Sequence, residues 1–434
     1  MAVNVLWPFV PAAIATYYTL HEPRDVTTIF ALNFIAMVPT ANLIGFAGQE
    51  LARKLPIVFG TILETLLGSL VELVLLLILL LRPAIDEMTQ ERNSKVIKDA
   101  ILGSILANML LCLGACFTIG GLRESHQKFD KAITEAGTGL LLIIGVALAI
   151  PAAFSFALGV PINAEGLAED PAKESLIQNI SRATAIILLF AFILYVFYQM
   201  SSHHNLFAAA LVTDEEQDKD KERDEKKDKL TLTECIVALL IALTFVCLHA
   251  FFLVTSIDGL IEETKISETF LGLILVPLVE KISEHLTAVD EAWDNTPNLA
   301  LSHILGATLQ TALLNAPLVI IIAWGRSLPM DFNFSSMQII LLILAILVVG
   351  QFLRDGESNY LEGMLCIFVY VLIAVAAFYY PNDEGGSGSE GSGSEGSGTE
   401  GSGGGEATST GEAALESATE HAVMLARTVI NGLI

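Results

Sequence analysis

The chain has 434 residues, 53% of them hydrophobic and only 16% charged, with a mean hydropathy of +0.62. Its 48 Asp and Glu against 23 Lys and Arg give a formal net charge of −25. This composition excludes an ordinary soluble domain, and the acidic balance argues against nucleic acid and against basic docking to anionic lipid, while it suits the attraction of cations.

A bilayer core takes about 20 apolar residues per helix. Eleven segments fit, near 4–20, 26–45, 56–81, 99–122, 137–158, 180–200, 231–254, 267–290, 299–323, 336–354 and 360–380. The first is short and carries Pro8 and Pro11; without a basic leader or a clear cleavage site, it reads as a signal-anchor helix and not as a cleaved peptide. None of the runs alternates as a barrel strand would, so the expected fold class is an all-α polytopic membrane protein. Cys112, Cys116, Cys235, Cys247 and Cys366 all fall in apolar runs and read as membrane-buried thiols.

The longest polar interruption, 213–229, divides the segments six and five. Its mixed charge fits either a solvated helix or a plain linker. On its side of the membrane lie twelve Lys and Arg against nine on the other, which weakly places that side, and the N-terminus, in the cytosol. From Gly385 to Gly405 the tail repeats Gly-Ser-Gly-Ser-Glu, a flexible linker composition, and Glu412 to Ile434 fits a short amphipathic helix.

Ionisable groups inside apolar runs carry the functional signal. The third segment holds Glu64 and Glu72, and the eighth holds Glu280, Lys281 and Glu284. A carboxylate at bilayer depth costs about 2.5–3.5 kcal/mol on insertion scales, and such groups mark ion or proton pathways. A structural ion pair with Lys281 is the plain alternative for Glu280 and Glu284; Glu72 has no Lys or Arg in its own segment. Gly60, Gly68 and Pro277 interrupt these helices, and freed backbone carbonyls can help ligate a cation. The following segment in each half adds polar groups, namely Ser104 and Asn108 in the fourth and Thr308 and Gln310 in the ninth. A glutamate helix followed by a small, polar helix, once in each half, points to a duplicated architecture with a site between the repeats. His285 is a candidate proton relay or a packed neutral ring; His249 and His303 read as packing residues.

At these segments the chain resembles the Ca²⁺/H⁺ exchanger family of the cation/Ca²⁺ exchanger superfamily. That family carries Gly-Asn-x-x-Glu-Leu in its first repeat and Gly-Asn-x-x-Glu-His in its second; here they read Gly68-Ser69-Leu70-Val71-Glu72-Leu73 and Glu280-Lys281-Ile282-Ser283-Glu284-His285. Further likenesses are 103–111, Gln127-Lys128-Phe129, 150–154, 198–203 and 355–363. The resemblance implies one extra N-terminal helix (1–25), two inverted five-helix repeats (26–212 and 230–382) around a cytosolic acidic helix at 213–229, and a tail from 383 to 434. It also implies a vacuolar or other acidic-organelle membrane, with Ca²⁺ and protons as substrates.

Ser69, Glu280 and Lys281 depart from the family pattern, as does the nearly charge-balanced 213–229 stretch, and the flanks of the glutamates resemble a divergent fungal-type branch. The expected function is a secondary active antiporter in which Glu72 and Glu284 alternately hold a metal cation and protons. Ser69, Ser104, Asn108, Ser283, Thr308 and Gln310 are candidate ligands or positioning groups, and Glu280, Lys281 and His285 modify selectivity. Lys281 lies three residues before Glu284 and shares a helix face with it, while Glu280 is expected to point elsewhere. Such a tethered ammonium would cancel one carboxylate and favour a monovalent ion or a proton-linked Lys–Glu switch; the competing reading is that Lys281 snorkels outward or pairs only with Glu280 after local unwinding, which leaves the site divalent-selective. The alternatives are therefore a Na⁺ or K⁺/H⁺ exchanger and a transport-inactive sensor or scaffold that keeps the fold. No resident cofactor is expected, a homo-oligomer is compatible with the sequence, and without His-Glu-x-x-His, a nucleophile elbow or a P-loop an enzyme is not.

Overall fold

A computed structural model describes residues 2–20, 25–83, 87–124, 127–158, 171–217 and 230–382. Most of the polar interruption (218–229) and the Gly/Ser/Glu tail with its expected amphipathic helix lie outside the described residues. Each of the eleven apolar segments corresponds to a helix. Eight of these are long and apolar enough to cross a membrane: Val26–Ala52, Ile57–Leu81, Thr89–Arg123, Lys131–Ala157, Ala172–Ser202, Leu232–Thr255, Pro297–Gly325 and Tyr360–Phe378. Ser336–Phe352 is a shorter apolar helix, and Phe9–Thr19 and the charge-bearing 268–293 helix complete the set.

Local chemistry fixes several helix starts. Thr231 with Glu234, and Ser335 with Gln338, form reciprocal caps that satisfy first-turn N–H groups. Asn359 accepts from the N–H groups of Leu361 and Glu362. Among the described residues, four short π-helical stretches widen the helices at Ala107–Cys112, Tyr198–Ser202, Leu271–Leu275 and Thr311–Asn315. Such insertions cluster at functional sites because they re-aim side chains.

Equally ranked segments of the two halves pack on each other: second with seventh, third with eighth, fourth with ninth and fifth with tenth. The third and eighth run in opposite directions. The third starts beside Lys54, which donates to the Leu230 carbonyl at 2.6 Å, and ends at Arg82, bound to Asp258 at 2.7 Å. The eighth starts at Glu268, bound to Arg92 at 3.0 Å, and ends at Trp293 and Asp294, which Arg123 contacts. The bundle thus has one rim carrying 50–56, 123, 230 and 293–298, and an opposite rim carrying 82–98, 258–268 and 331–333.

Helices approach closely where side chains are absent. A Cβ on Gly103 would lie 2.1 Å from the Leu273 carbonyl oxygen, so the fourth segment presses directly on the π-helical entry to the eighth. Two family-like stretches meet in a small antiparallel ribbon, in which Gln127 and Lys128 pair with Ser358 and Glu357.

The helix His204–Gln217 reaches the first rim, where Asp214 is only 2% exposed. Its carboxylate accepts from Asn298 Nδ2 at 2.7 Å and from the Leu299 N–H at 2.8 Å, capping the helix that starts at Pro297. Burial pushes this carboxyl up to about 6, against those hydrogen bonds, which favour the ionised form. An acid whose folded pKa is raised binds more protons folded than unfolded, so its contribution falls as pH rises from about 4, its unfolded range, to about 6. Thermal unfolding of purified protein should show that decline, and Asp214→Asn should flatten it; an unchanged pH slope in the variant would remove Asp214 as its source.

Candidate functional site

Four helices enclose the intramembrane charges: Ile57–Leu81, Thr89–Arg123, 268–293 and Pro297–Gly325. Glu72 is fully buried. Its Oε2 accepts from Thr311 Oγ1 at 2.6 Å and from Asn315 Nδ2 at 3.0 Å, both in the π-helical part of the ninth segment. Asn315 also donates to the Ser69 carbonyl at 3.3 Å, so one side chain holds both the helix backbone and its carboxylate. A glutamate from the first half is therefore positioned by donors from the second.

Lys281 is also fully buried, and its Nζ lies 2.8 Å from Glu72 Oε2 and 3.3 Å from Glu284 Oε2. The ammonium bridges the two key carboxylates. Glu284 packs against Gly68, where a Cβ would sit 2.5 Å from its Oε1, so a side chain at this position would displace the glutamate carboxylate.

Glu280 does not point elsewhere. It is 1% exposed, and Ser104 donates to its Oε1 across the helix interface. Four residues before Glu284, it lies on the same face as that glutamate, which its offset from Lys281 alone concealed. The charged cluster therefore holds three carboxylates and one ammonium, a formal charge of −2 where the reading of Lys281 alone leaves one effective negative charge.

The other candidates divide. Asn108 Oδ1 lies 3.0 Å from His285 Nε2, which joins the fourth helix to the eighth beside the cluster. Gln310 donates to Thr65 Oγ1 at 2.6 Å, one turn above Gly68. Ser69 and Thr308 donate their hydroxyl protons to carbonyls of their own helices, at Leu66 and Ile304, which leaves the hydroxyl oxygens as acceptors. Ser283 is buried and lines the cleft described next.

That cleft is narrow, about 30 Å³, and is lined by Glu64, Gly68, Asn108, Ser283, Glu284 and His303 among others. Glu64 and His303 lie between Glu284 and the first rim, so the cleft approaches the cluster from that side. The Glu284 side chain is 15% exposed, against 1% for Glu72. On the opposite rim, cations of the first half bind anions of the second: Arg82 and Arg92 hold Asp258, Arg92 holds Glu268, and Lys98 holds Asp331. His303, read as a packing residue, instead bridges carboxylates: Nδ1 lies 2.7 Å from Glu291 and Nε2 3.5 Å from Glu64. Thr311, Asn315, Glu64, Glu291 and His303 are the residues that sequence reasoning left out or underrated.

The sodium/calcium exchanger protein family model matches residues 26–201 and 235–379. The vacuolar calcium ion transporter of Schizosaccharomyces pombe is 30% identical over 379 residues, covering 87% of this chain and 85% of its own length. The Ca²⁺/H⁺ antiporter of Synechocystis is 29% identical, covering 87% of this chain and 97% of its own. Among solved structures, native YfkE superposes with a TM-score of 0.67 at 24% identity, covering 87% of this chain and 99% of that one. The H⁺/Ca²⁺ exchanger CAX superposes with a TM-score of 0.60 at 14% identity, covering 88% and 89%; at these identities both likenesses speak to the fold.

Proposed function

The chain belongs to the sodium/calcium exchanger protein family, and from that premise we propose that it is a secondary active antiporter exchanging Ca²⁺ for protons across a vacuolar membrane. The observation that carries the reading is the meeting of Glu72 and Glu284, from equally ranked and oppositely running helices, around a single positive charge. Two carboxylates in a dry site bind either a hard cation or protons, and the exchange of one for the other couples the two fluxes. Thr311, Asn315 and Ser104 position the acceptor oxygens, and cation ligands beyond the carboxylates come from the neighbouring Asn108 and Ser283 and from backbone carbonyls.

Access alternates between the rims. The cleft toward Glu284 is the route from the cytosolic side, and the paired charges from Arg82 to Asp331 close the lumenal side in this state. Names of the relatives support both cargo and membrane: a vacuolar calcium ion transporter in Schizosaccharomyces pombe and a vacuolar cation/proton exchanger in Arabidopsis thaliana. No chemical transformation of a substrate is part of this function.

Reconstitution into acid-loaded vesicles containing a pH dye tests the proposal. Added Ca²⁺ should discharge the proton gradient in a saturable way, with Na⁺ and K⁺ ineffective. Discharge by Na⁺ or K⁺ alone would mean a monovalent exchanger, and discharge by no cation would mean a fold retained for sensing or scaffolding.

A further inference from the structure

Lys281 lies fully buried between the two glutamates. We propose that its ammonium is a tethered competitor of the transported cation, one that sits between Glu72 and Glu284 when the site is empty and moves onto Glu280 when a divalent cation enters. This deepens the exchanger reading and rests on Glu72 and Glu284 being its transport carboxylates.

Three observations support it. Lys281 Nζ occupies the position a cargo ion would need, within 2.8 Å of one glutamate and 3.3 Å of the other. Glu280 offers it a second berth, because its Oε2 has no hydrogen-bond partner among the described residues, whereas Ser104 holds Oε1. The flexible four-carbon stem of Lys281 gives its ammonium reach beyond its present partners. The third observation is charge. With all four groups ionised, Glu72, Glu280, Glu284 and Lys281 carry a net −2, which a divalent cation neutralises and a monovalent one does not. Once Lys281 pairs with Glu280, the remaining two carboxylates face the cargo as an uncompensated pair. Glu280 and Lys281 therefore act together: a lysine alone would repel a divalent ion, and its companion acid restores the balance.

The role is one of specificity and affinity, and opposite charge changes should move it in opposite directions. Lys281→Gln removes the competitor and should lower the Ca²⁺ concentration for half-maximal transport by roughly tenfold, a conservative share of what one unit charge at contact distance exerts. Glu280→Gln removes the second berth, traps the ammonium between the glutamates and should raise that concentration by roughly tenfold. The double variant restores the net charge and should return close to the parent.

Ca²⁺, Mn²⁺, Na⁺ and K⁺ are compared in vesicles, and binding of the same ions to the purified full chain is read by thermal shift. If Lys281→Gln does not fold, Glu280→Gln carries the test, and an unchanged or lowered Ca²⁺ concentration for half-maximal transport overturns the proposal. Single variants that shift Ca²⁺ affinity in the same direction, or not at all, overturn the proposal, as does a parent protein that binds Na⁺ or K⁺ in preference to Ca²⁺. Glu72→Gln separates the levels: if it abolishes Ca²⁺/H⁺ exchange while Lys281 and Glu280 variants leave affinity unchanged, the tethered competitor alone is wrong. If it leaves exchange intact, the two-glutamate reading beneath the proposal is wrong.

Discussion

Glu72→Gln should reduce proton-coupled Ca²⁺ flux by about a hundredfold or more, to the level of empty vesicles, while the protein still purifies as a monodisperse species. An amide keeps the shape of the side chain, and its oxygen can still accept from Thr311 or Asn315. It neither binds and releases a proton nor supplies a negative charge. Its NH₂ group would also face the Lys281 ammonium, now 2.8 Å from Glu72 Oε2. Losing one anion from a desolvated charge pair costs function on the order of several kcal/mol, which is far more than tenfold. Glu284→Gln should do the same, since that carboxylate is the second partner of Lys281, at 3.3 Å. Flux assays paired with size-exclusion profiles check both, and near-parental exchange in a monodisperse variant at either position would rule out the two-glutamate mechanism.

Gly103→Val should abolish the well-folded protein. Even the first carbon of a new side chain would lie 2.1 Å from the Leu273 carbonyl oxygen and 2.6 Å from Pro277. Backbone cannot yield as a flexible side chain does. Overpacking a tight interface costs about 1–3 kcal/mol when relaxation is possible, and more where it is not. Moving the fourth helix outward would also separate Ser104 from Glu280. Gly350, where an added methyl would meet nothing within 4 Å, is the matched control, and Gly350→Ala should be silent. Thermal unfolding of the two variants in detergent decides the point; equal stability would mean that the close helix approach contributes nothing.

The membrane architecture was legible because its signal is local. Each helix announces itself by about 20 apolar residues, independent of its neighbours. Glu72 and Glu284 stood out for the same reason, as charges where charge is costly. What binds them was not legible. Thr311 and Asn315 reach Glu72 from the opposite half of the chain, and nothing in their own segment marks them. His303 looked like a ring in an apolar face until Glu291 and Glu64 arrived from two other helices. Glu280 was placed by its angle to Lys281, about 100° around the helix, although its spacing of four from Glu284 puts it on the shared face. The π-helical stretches at Leu271–Leu275 and Thr311–Asn315 add a further rotation that no regular 3.6-residue projection contains.

The most direct test of antiport between Ca²⁺ and protons through these carboxylates is to drive one flux with the other alone. Vesicles holding the purified protein are set to equal pH on both sides, the voltage is clamped with K⁺ and valinomycin, and a Ca²⁺ gradient is imposed while a trapped dye reports pH. The account predicts that Ca²⁺ moving down its gradient drives protons the opposite way, in fixed proportion to the Ca²⁺ that crosses, and that the pH signal vanishes in Glu72→Gln. Ca²⁺ movement without a pH change, or a pH change that persists in Glu72→Gln, would contradict it.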